Sequence, residues 1–156
     1  MGIKRKFGDN YVRNQVEKFQ NNLDTAIILT LAYLGEELAK YAKDNHNYTD
    51  RTGNLTNSIG YAVLRDGRIV QSGGFSNVEP TLKSMDVIKK LVDSNPKRYV
   101  LVIAAGMEYA AYVEAKGYNV ILPAYLKALT DYPIKMKELY EKAKKMAREK
   151  YNLDLS

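Results

Sequence analysis

The chain contains no cysteine, no tryptophan and a single histidine, His46, among its 156 residues. Without cysteine there are no disulfides, thiolate metal ligands or cysteine nucleophiles, a composition typical of a reducing compartment. One histidine cannot complete a zinc site alone, and no Gly-x-Ser-x-Gly stretch presents a serine for it to activate. Phosphate-binding loops are absent too, since neither SGGF nor AAGME fits the glycine patterns that bind nucleotides. These absences predict a protein without catalysis, metal or cofactor.

Long apolar runs are also absent. No segment approaches the roughly 20 consecutive apolar residues of a membrane-spanning helix. No apolar stretch follows the basic start MGIKRK, as it would in a signal peptide. We therefore expect neither secretion nor a membrane partner. The apolar fraction of 46% is nevertheless enough for the core of one folded domain.

The net charge of +6 is carried by the two ends of the chain. Residues 1–20 contain five Lys or Arg against two Asp or Glu, and residues 134–156 contain seven against four. Residues 21–133 contain twelve of each. Basic ends favour contact with acidic surfaces or nucleic acid, although a solvated, lysine-rich helix face has the same composition. The cationic residues that we expect at an interface are Lys4, Arg5, Lys6, Arg13, Lys116, Lys142 and Lys145.

Residues 11–44 have the spacing of one long helix. Apolar residues recur there every three or four positions, at Val12, Val16, Phe19, Leu23, Ile27, Leu31, Leu34, Leu38 and Tyr41. A continuous helix of this length measures roughly 50 Å at 1.5 Å per residue, which exceeds the core of a domain of this size. We therefore expect part of the helix to project or to pack on another subunit. Gly35 is a point where it could bend.

The middle of the chain has two recognisable elements. Residues 60–74 predict a hairpin, because two β-rich runs are joined by the two-residue turn Asp66-Gly67. Residues 79–94 predict an amphipathic helix that ends before Pro96.

The last third of the chain predicts a strand, a short helix, a second strand and a helical tail. The apolar run at 98–106 predicts a central strand, and Gly117 closes the helix that follows. Residues 118–122 predict an edge strand, and residues 123–153 predict C-terminal helices broken or kinked at Pro133. The expected buried stripe of that tail is Ile134, Met136, Leu139, Tyr140, Met146 and Leu153. The fold class is therefore α+β: a long N-terminal helix, a small, mostly antiparallel sheet built around the hairpin, and a C-terminal helix.

The stretch MEYAAYVEAKGY, residues 107–118, has the highest density of chemically active side chains. Its glutamates, Glu108 and Glu114, are six residues apart, which on a helix rotates them by about 240° onto different faces. They are therefore not expected to act as an acid–base pair. The residues that do share a face are Tyr109, Tyr112, Val113 and Lys116. This spacing predicts a packing stripe in the core or at an interface, with tyrosine hydroxyls as polar tips.

The loop around His46 is a weaker candidate for chemistry. Asp44 and Asp50 flank the histidine, as ligands in a metal loop could. A calcium loop beginning at Asp44 would need glycine at its sixth position and glutamate at its twelfth, where this chain has Thr49 and Leu55. A solvated loop is the favoured interpretation.

Two stretches together resemble a known family. The first stretch, RTGNLTNSIGYAV, leads into the hairpin, and the second, VLVIAAGMEYAAYVEAKG, gives a strand, a turn and a helix. Their order and spacing are similar to those of the tail-completion, or head–tail connector, family of long-tailed phages and prophages. The residues that match the family's motifs are Thr52, Gly53, Leu55, Ser58, Ile59, Tyr109, Ala110, Tyr112, Val113 and Glu114. The chain departs from the family pattern by one extra residue before Gly117 and by the helix at 79–94, which resembles an insertion.

The resemblance implies a structural protein of the virion. Members of this family form rings at the head–tail junction, between the portal-side neck and the tail tube, and are assembled in the cytoplasm of the bacterial host. The implied partners are further copies of the chain, neck or portal-side proteins and tail-tube proteins, with DNA contact secondary.

The alternative is a small basic nucleic-acid-binding or regulatory protein. Its support is the positive charge at each end and the thirteen tyrosines, which could stack on bases. The RNA-binding strand motif with its spaced aromatics is absent.

Overall fold

The computed structural model of this protein describes residues 8–92 and 98–155. In chain order these residues form α1 (Asp9–Asp44), α2 (Asn54–Asn57), β1 (Ile59–Arg65), β2 (Arg68–Gly73), α3 (Val78–Val92), β3 (Tyr99–Ala105), α4 (Ala110–Ala115) and α5 (Leu122–Tyr151). The α+β prediction is confirmed, with its long N-terminal helix, its antiparallel sheet around a hairpin and its C-terminal helix. The helix predicted at 79–94 is observed as α3. Its predicted last residues, 93 and 94, and Pro96, before which it was expected to end, lie outside the described residues.

Helix α1 is continuous, as predicted. One part of it packs on the sheet, and another part packs on α5 alone. Its carboxyl-terminal third packs on the sheet through a buried stripe that includes Leu31, Leu34 and Leu38. Not every apolar residue of the helical repeat is buried, since Val12 and Tyr41 at its two ends are exposed. The helix continues through Gly35 without interruption. The missing side chain of this glycine lets the Tyr61 ring lie against the helix, where an alanine Cβ would be 2.5 Å from the ring.

Helices α1 and α5 lie antiparallel, because residues later in α5 contact residues earlier in α1. The Lys127 ammonium lies over the Tyr41 ring, Lys135 lies over Tyr33, and Tyr151 meets Phe19 edge to face at 5.7 Å. Beyond Asp24, which contacts Arg65 of β1 and Tyr99 of β3, residues 9–23 and 137–155 form a two-helix arm with its own small core. That core consists of Phe19, Leu23, Ala143, Met146, Ala147, Tyr151, Leu153 and Leu155.

The sheet has the order β2-β1-β3 and is antiparallel throughout. Asp66 and Gly67 both have positive φ, 49° and 74°, which is the geometry of the predicted two-residue hairpin turn. The strand predicted at 98–106 is confirmed as β3, but its predicted central position is wrong. The central strand is β1, which is buried from Ile59 to Leu64 between α1 on one face and α3 on the other. An apolar run shows that a strand is buried, but its place in the sheet depends on which strands pair.

In the last third, the edge strand predicted at 118–122 and the break predicted at Pro133 are wrong. Residues 118–122 form no strand, because the backbone N–H groups from Val120 onward are bonded to a side chain, as described below. Helix α5 continues through Pro133, which costs one backbone hydrogen bond. The helix tolerates this loss because α1 packs against it both before Pro133, at Ala124, and after it, at Ala143.

Candidate functional site

The two motif stretches meet in the core of the protein. Leu55, Ile59 and Ala110 are buried in the same hydrophobic cluster. Gly53 is the N-cap of α2 and has φ 74°, a conformation that favours glycine. The Thr52 hydroxyl accepts a hydrogen bond from the Asn54 N–H at 3.3 Å. The first motif therefore builds the turn that leads into β1, and its residues act through packing and backbone shape.

Ser58, the remaining residue of the first motif, belongs to a buried polar junction. The Ser84 hydroxyl lies 2.6 Å from the Ser58 carbonyl and 3.0 Å from the Pro80 carbonyl, both of which can accept its proton. The Ser84 oxygen in turn accepts the Gly106 N–H at 3.0 Å. Ser58 and Ser84 are both fully buried. This junction joins α3 to the start of β1 and to the end of β3 at the centre of the fold.

Glu114 has a structural role that the sequence did not predict. Its carboxylate accepts hydrogen bonds from the backbone N–H groups of Val120, Ile121 and Leu122, at 3.3, 3.2 and 2.7 Å. Leu122 begins α5, so Glu114 caps the amino end of that helix with a negative charge, where unpaired N–H groups and the helix dipole favour it. The other glutamate of the stretch, Glu108, is exposed and precedes α4.

The two tyrosines of the stripe predicted around α4 do not pack in the core of one copy. Tyr109 is 41% exposed and Tyr112 is 65% exposed, with the Lys116 ammonium 5.2 Å from the Tyr112 ring. Helix α4 begins only at Ala110, so its inward face is formed by Ala110 and Val113, three residues apart, and Tyr112 lies on the opposite side. An interface role for the two tyrosines stays a prediction.

The loop around His46 is built by packing and hydrogen bonds. The His46 ring lies 4.6 Å from that of Tyr48, and its Nδ1–H donates to the Lys43 carbonyl at 2.5 Å. Burial raises the pKa of Tyr48, and the Tyr48 hydroxyl lies 3.2 Å from that of Thr56. Within residues 8–92 and 98–155, no three His, Asp or Glu side chains lie close enough to hold a metal ion.

Of the predicted cationic interface residues, the four that the structure describes do not all lie together. Lys4, Arg5 and Lys6 lie outside the described residues. Lys142 and Lys145 are exposed on the arm, roughly 30–35 Å along α5 from the end that contacts α4, given 1.5 Å per residue. Lys116 lies on the turn after α4, and Arg13 is exposed near the start of α1. These residues therefore do not form one patch.

An exposed apolar stripe on the first half of α5 is the most unusual surface of the described residues. It consists of Leu122, Tyr125, Leu126, Leu129 and Tyr132, which are between 46% and 59% exposed. The residues that α5 buries are instead mostly alanines, at 124, 143 and 147. We call the five exposed residues the α5 stripe. Of the tail's predicted stripe, Ile134 and Tyr140 are also exposed, so that prediction is wrong at both positions.

A groove of about 460 Å³ lies beside the α5 stripe. Leu101 and Ile103 of β3 line one side of the groove, and α5 lines the other. Leu34 and Leu38 of α1 lie between these two sides. All of its lining residues are uncharged, and they include Tyr125, Leu129 and Tyr132 of the stripe. In the part of the chain that the structure describes, β3 pairs only with β1, so its other edge is open beside this groove.

The opposite side of α5 carries a charged pair. The Lys127 ammonium lies 2.5 Å from the Asp131 carboxylate, and this hydrogen bond raises the pKa of Lys127. Both side chains are thereby neutralised within one copy of the chain.

No protein-family model, curated protein or solved structure matches this chain. Among the residues described, no helix combines the length and the apolar composition needed to cross a bilayer.

Proposed function

We propose that this protein is a structural subunit of a phage or prophage particle. It joins the head or neck to the tail at the head–tail junction, as a ring-forming connector or tail-completion protein, and it catalyses no reaction. The observation that carries this proposal is the α5 stripe with its adjoining groove, because contiguous exposed apolar surface marks protein–protein contact. The resemblance of the two motif stretches to the connector family supplies the kind of assembly.

The roles of the motif residues support a non-enzymatic protein. Leu55, Ile59 and Ala110 are buried for packing, and the Glu114 carboxylate is occupied by three backbone N–H groups. No nucleophile and base among the motif residues lie within hydrogen-bonding reach of one another, as covalent catalysis would require.

The first test is the location of the protein in particles. In the phage or lysogen that encodes this chain, we expect it to copurify with intact particles and immunogold label to lie at the head–tail junction. Deleting its gene should leave heads and tails unjoined, and a plasmid copy should restore joining. Particles that lack the protein, or a deletion that leaves joining unchanged, would contradict the proposal.

The nucleic-acid-binding alternative is favoured by the arm, whose α5 side, residues 137–155, carries six Lys or Arg against four Asp or Glu. That charge is mixed with acidic residues, however: Lys145 lies 4.0 Å from Glu149, and Arg148 lies 3.4 Å from Asp154. Phosphate contacts of this kind are weak and strongly dependent on salt.

We therefore expect duplex DNA binding to be detectable at low salt and lost near about 0.15 M salt, because such binding falls steeply as counterions compete. Fluorescence anisotropy with labelled duplexes of two unrelated sequences measures this directly. Tight binding that persists at the higher salt, with a preference for one duplex, would favour the alternative over the connector.

A further inference from the structure

We infer that the α5 stripe and the groove beside it are the surface on which a second copy of this chain docks. The choice of a homo-oligomer rests on the proposed function, whereas the choice of this surface rests on the observations below. The inference names the contact that would hold neighbouring subunits together, and it is tested on the purified protein alone.

The first observation is the reversed size of the residues on α5. Ala124, Ala143 and Ala147 face the interior of the protein, and the larger Leu and Tyr side chains face outward. Alanines let α5 approach α1 closely, so α1 covers that side of the helix at these three positions within one copy. The stripe repeats at intervals of three or four residues, from Leu122 through Tyr125 and Leu129 to Tyr132, which is the spacing of a helix face that packs on a partner.

The second observation is the size of the surface. Five side chains of roughly 150–200 Å² each, about half exposed, present roughly 400–500 Å² of apolar area. A standard interface buries roughly 800 Å² on each partner, of which a little over half is apolar. The stripe alone therefore supplies about as much apolar area as one side of a stable interface needs.

The third observation is charge, which permits a second copy on this surface and argues against nucleic acid or an acidic protein there. The stripe and the groove lining contain no ionised side chain. Two copies of a chain with a net charge of +6 repel each other wherever their cationic surfaces meet, and a neutral face avoids that repulsion. Nucleic acid or an acidic protein would instead select the lysines of the arm.

The fourth observation is the open edge of β3. Its sequence, YVLVIAA, has no charged residue, although exposed edge strands usually carry charges that prevent pairing with other chains. A second copy seated on the stripe and groove would cover this edge as well. One contact thus accounts for the stripe, the groove and the unprotected strand.

Sedimentation of the full chain tests the inference with a matched pair of variants. Leu129, which is 58% exposed on the stripe, and Leu82, which is 62% exposed on α3 across the sheet, are each replaced by glutamate. We expect the wild-type protein and Leu82→Glu to associate with the same dissociation constant. Leu129→Glu should weaken association by about thirtyfold or more, the effect of losing one residue at the centre of an interface. Circular dichroism should show that both variants are folded.

A thiol probe gives an independent readout, because the chain has no cysteine of its own. The single thiol of Tyr125→Cys should be alkylated more slowly as protein concentration rises, whereas that of Leu82→Cys should not. The inference is overturned by a wild-type protein that stays monomeric up to about 1 mM, where even millimolar dissociation constants are detected. It is also overturned if both glutamate variants associate like the wild type. A third contrary result is that Leu129→Glu no longer binds phosphatidylcholine vesicles but still associates with itself like the wild type. A monomer that is nevertheless found at the head–tail junction would reject this surface and keep the proposed function.

Discussion

Replacing Gly106 with alanine is expected to lower the free energy of unfolding by about 3–4 kcal/mol, because the new methyl group would collide with backbone. A Cβ at this position would lie 2.1 Å from the Ser84 nitrogen and 2.3 Å from the Ser84 Cα. Backbone atoms inside a helix cannot rotate away as a side chain can, so α3 must shift from the sheet. That shift would also break the hydrogen bond from the Gly106 N–H to the Ser84 hydroxyl.

Urea unfolding followed by circular dichroism measures the effect, with two comparison variants. Gly8→Ala adds the same methyl group where no heavy atom lies within 4 Å, and it should change the stability by less than about 1 kcal/mol. Ser84→Ala keeps the backbone in place but leaves the buried Gly106 N–H without its partner, at a cost of about 1–3 kcal/mol. If Gly106→Ala is no more destabilising than Gly8→Ala, the close approach of α3 to Gly106 is wrong.

Much of the fold could be predicted because its strongest signals are local. The long helix predicted at 11–44 is observed at Asp9–Asp44, and the hairpin predicted at 60–74 is observed as Ile59–Arg65 and Arg68–Gly73. A helical period of apolar residues and an Asp-Gly turn each determine the structure of residues close to them in the sequence. They therefore predict the local secondary structure without information about the rest of the chain.

The errors arose where one segment's structure depends on another segment. Among the described strands, β1 alone pairs with β3, which makes β3 an edge strand, and no feature of YVLVIAA itself records that. Residues 118–122 resemble a strand in composition, but the Glu114 side chain takes their N–H groups. Pro133 normally interrupts a helix, yet α5 continues through it, with residues buried against α1 on both sides of the proline.

The candidate site was missed for a related reason. The buried stripe predicted for the tail, from Ile134 to Leu153, contained only large residues and none of the tail's alanines. A helix that packs closely on a neighbour can bury alanines, and its larger residues then face outward. The spacing of Leu122, Tyr125, Leu129 and Tyr132 was visible in the sequence, but periodicity shows only that residues share a face. Which of two faces is covered within one copy is decided by the position of α1.

Replacing Glu114 with alanine is expected to destabilise the protein by about 2 kcal/mol and to loosen the start of α5. The carboxylate holds three backbone N–H groups at the helix terminus, and bonds to a charged group are worth more than neutral ones. The effect is limited because Glu114 is only half-buried, so water can replace part of what is lost. Urea unfolding measures the global effect, and amide hydrogen exchange at residues 120–122 measures the local one.

Two further variants separate the cap from a general effect of charge. Glu114→Gln keeps one carbonyl oxygen but loses the negative charge and the second acceptor, so it should cost about half as much as alanine, roughly 1 kcal/mol. Glu108→Ala removes the same charge from an exposed position before α4, where substitutions usually change stability by less than about 0.5 kcal/mol. Faster amide exchange should appear in the two Glu114 variants and not in Glu108→Ala. If all three variants exchange at the wild-type rate, the Glu114 carboxylate does not hold the start of α5, and the loss of the strand expected at 118–122 needs another cause.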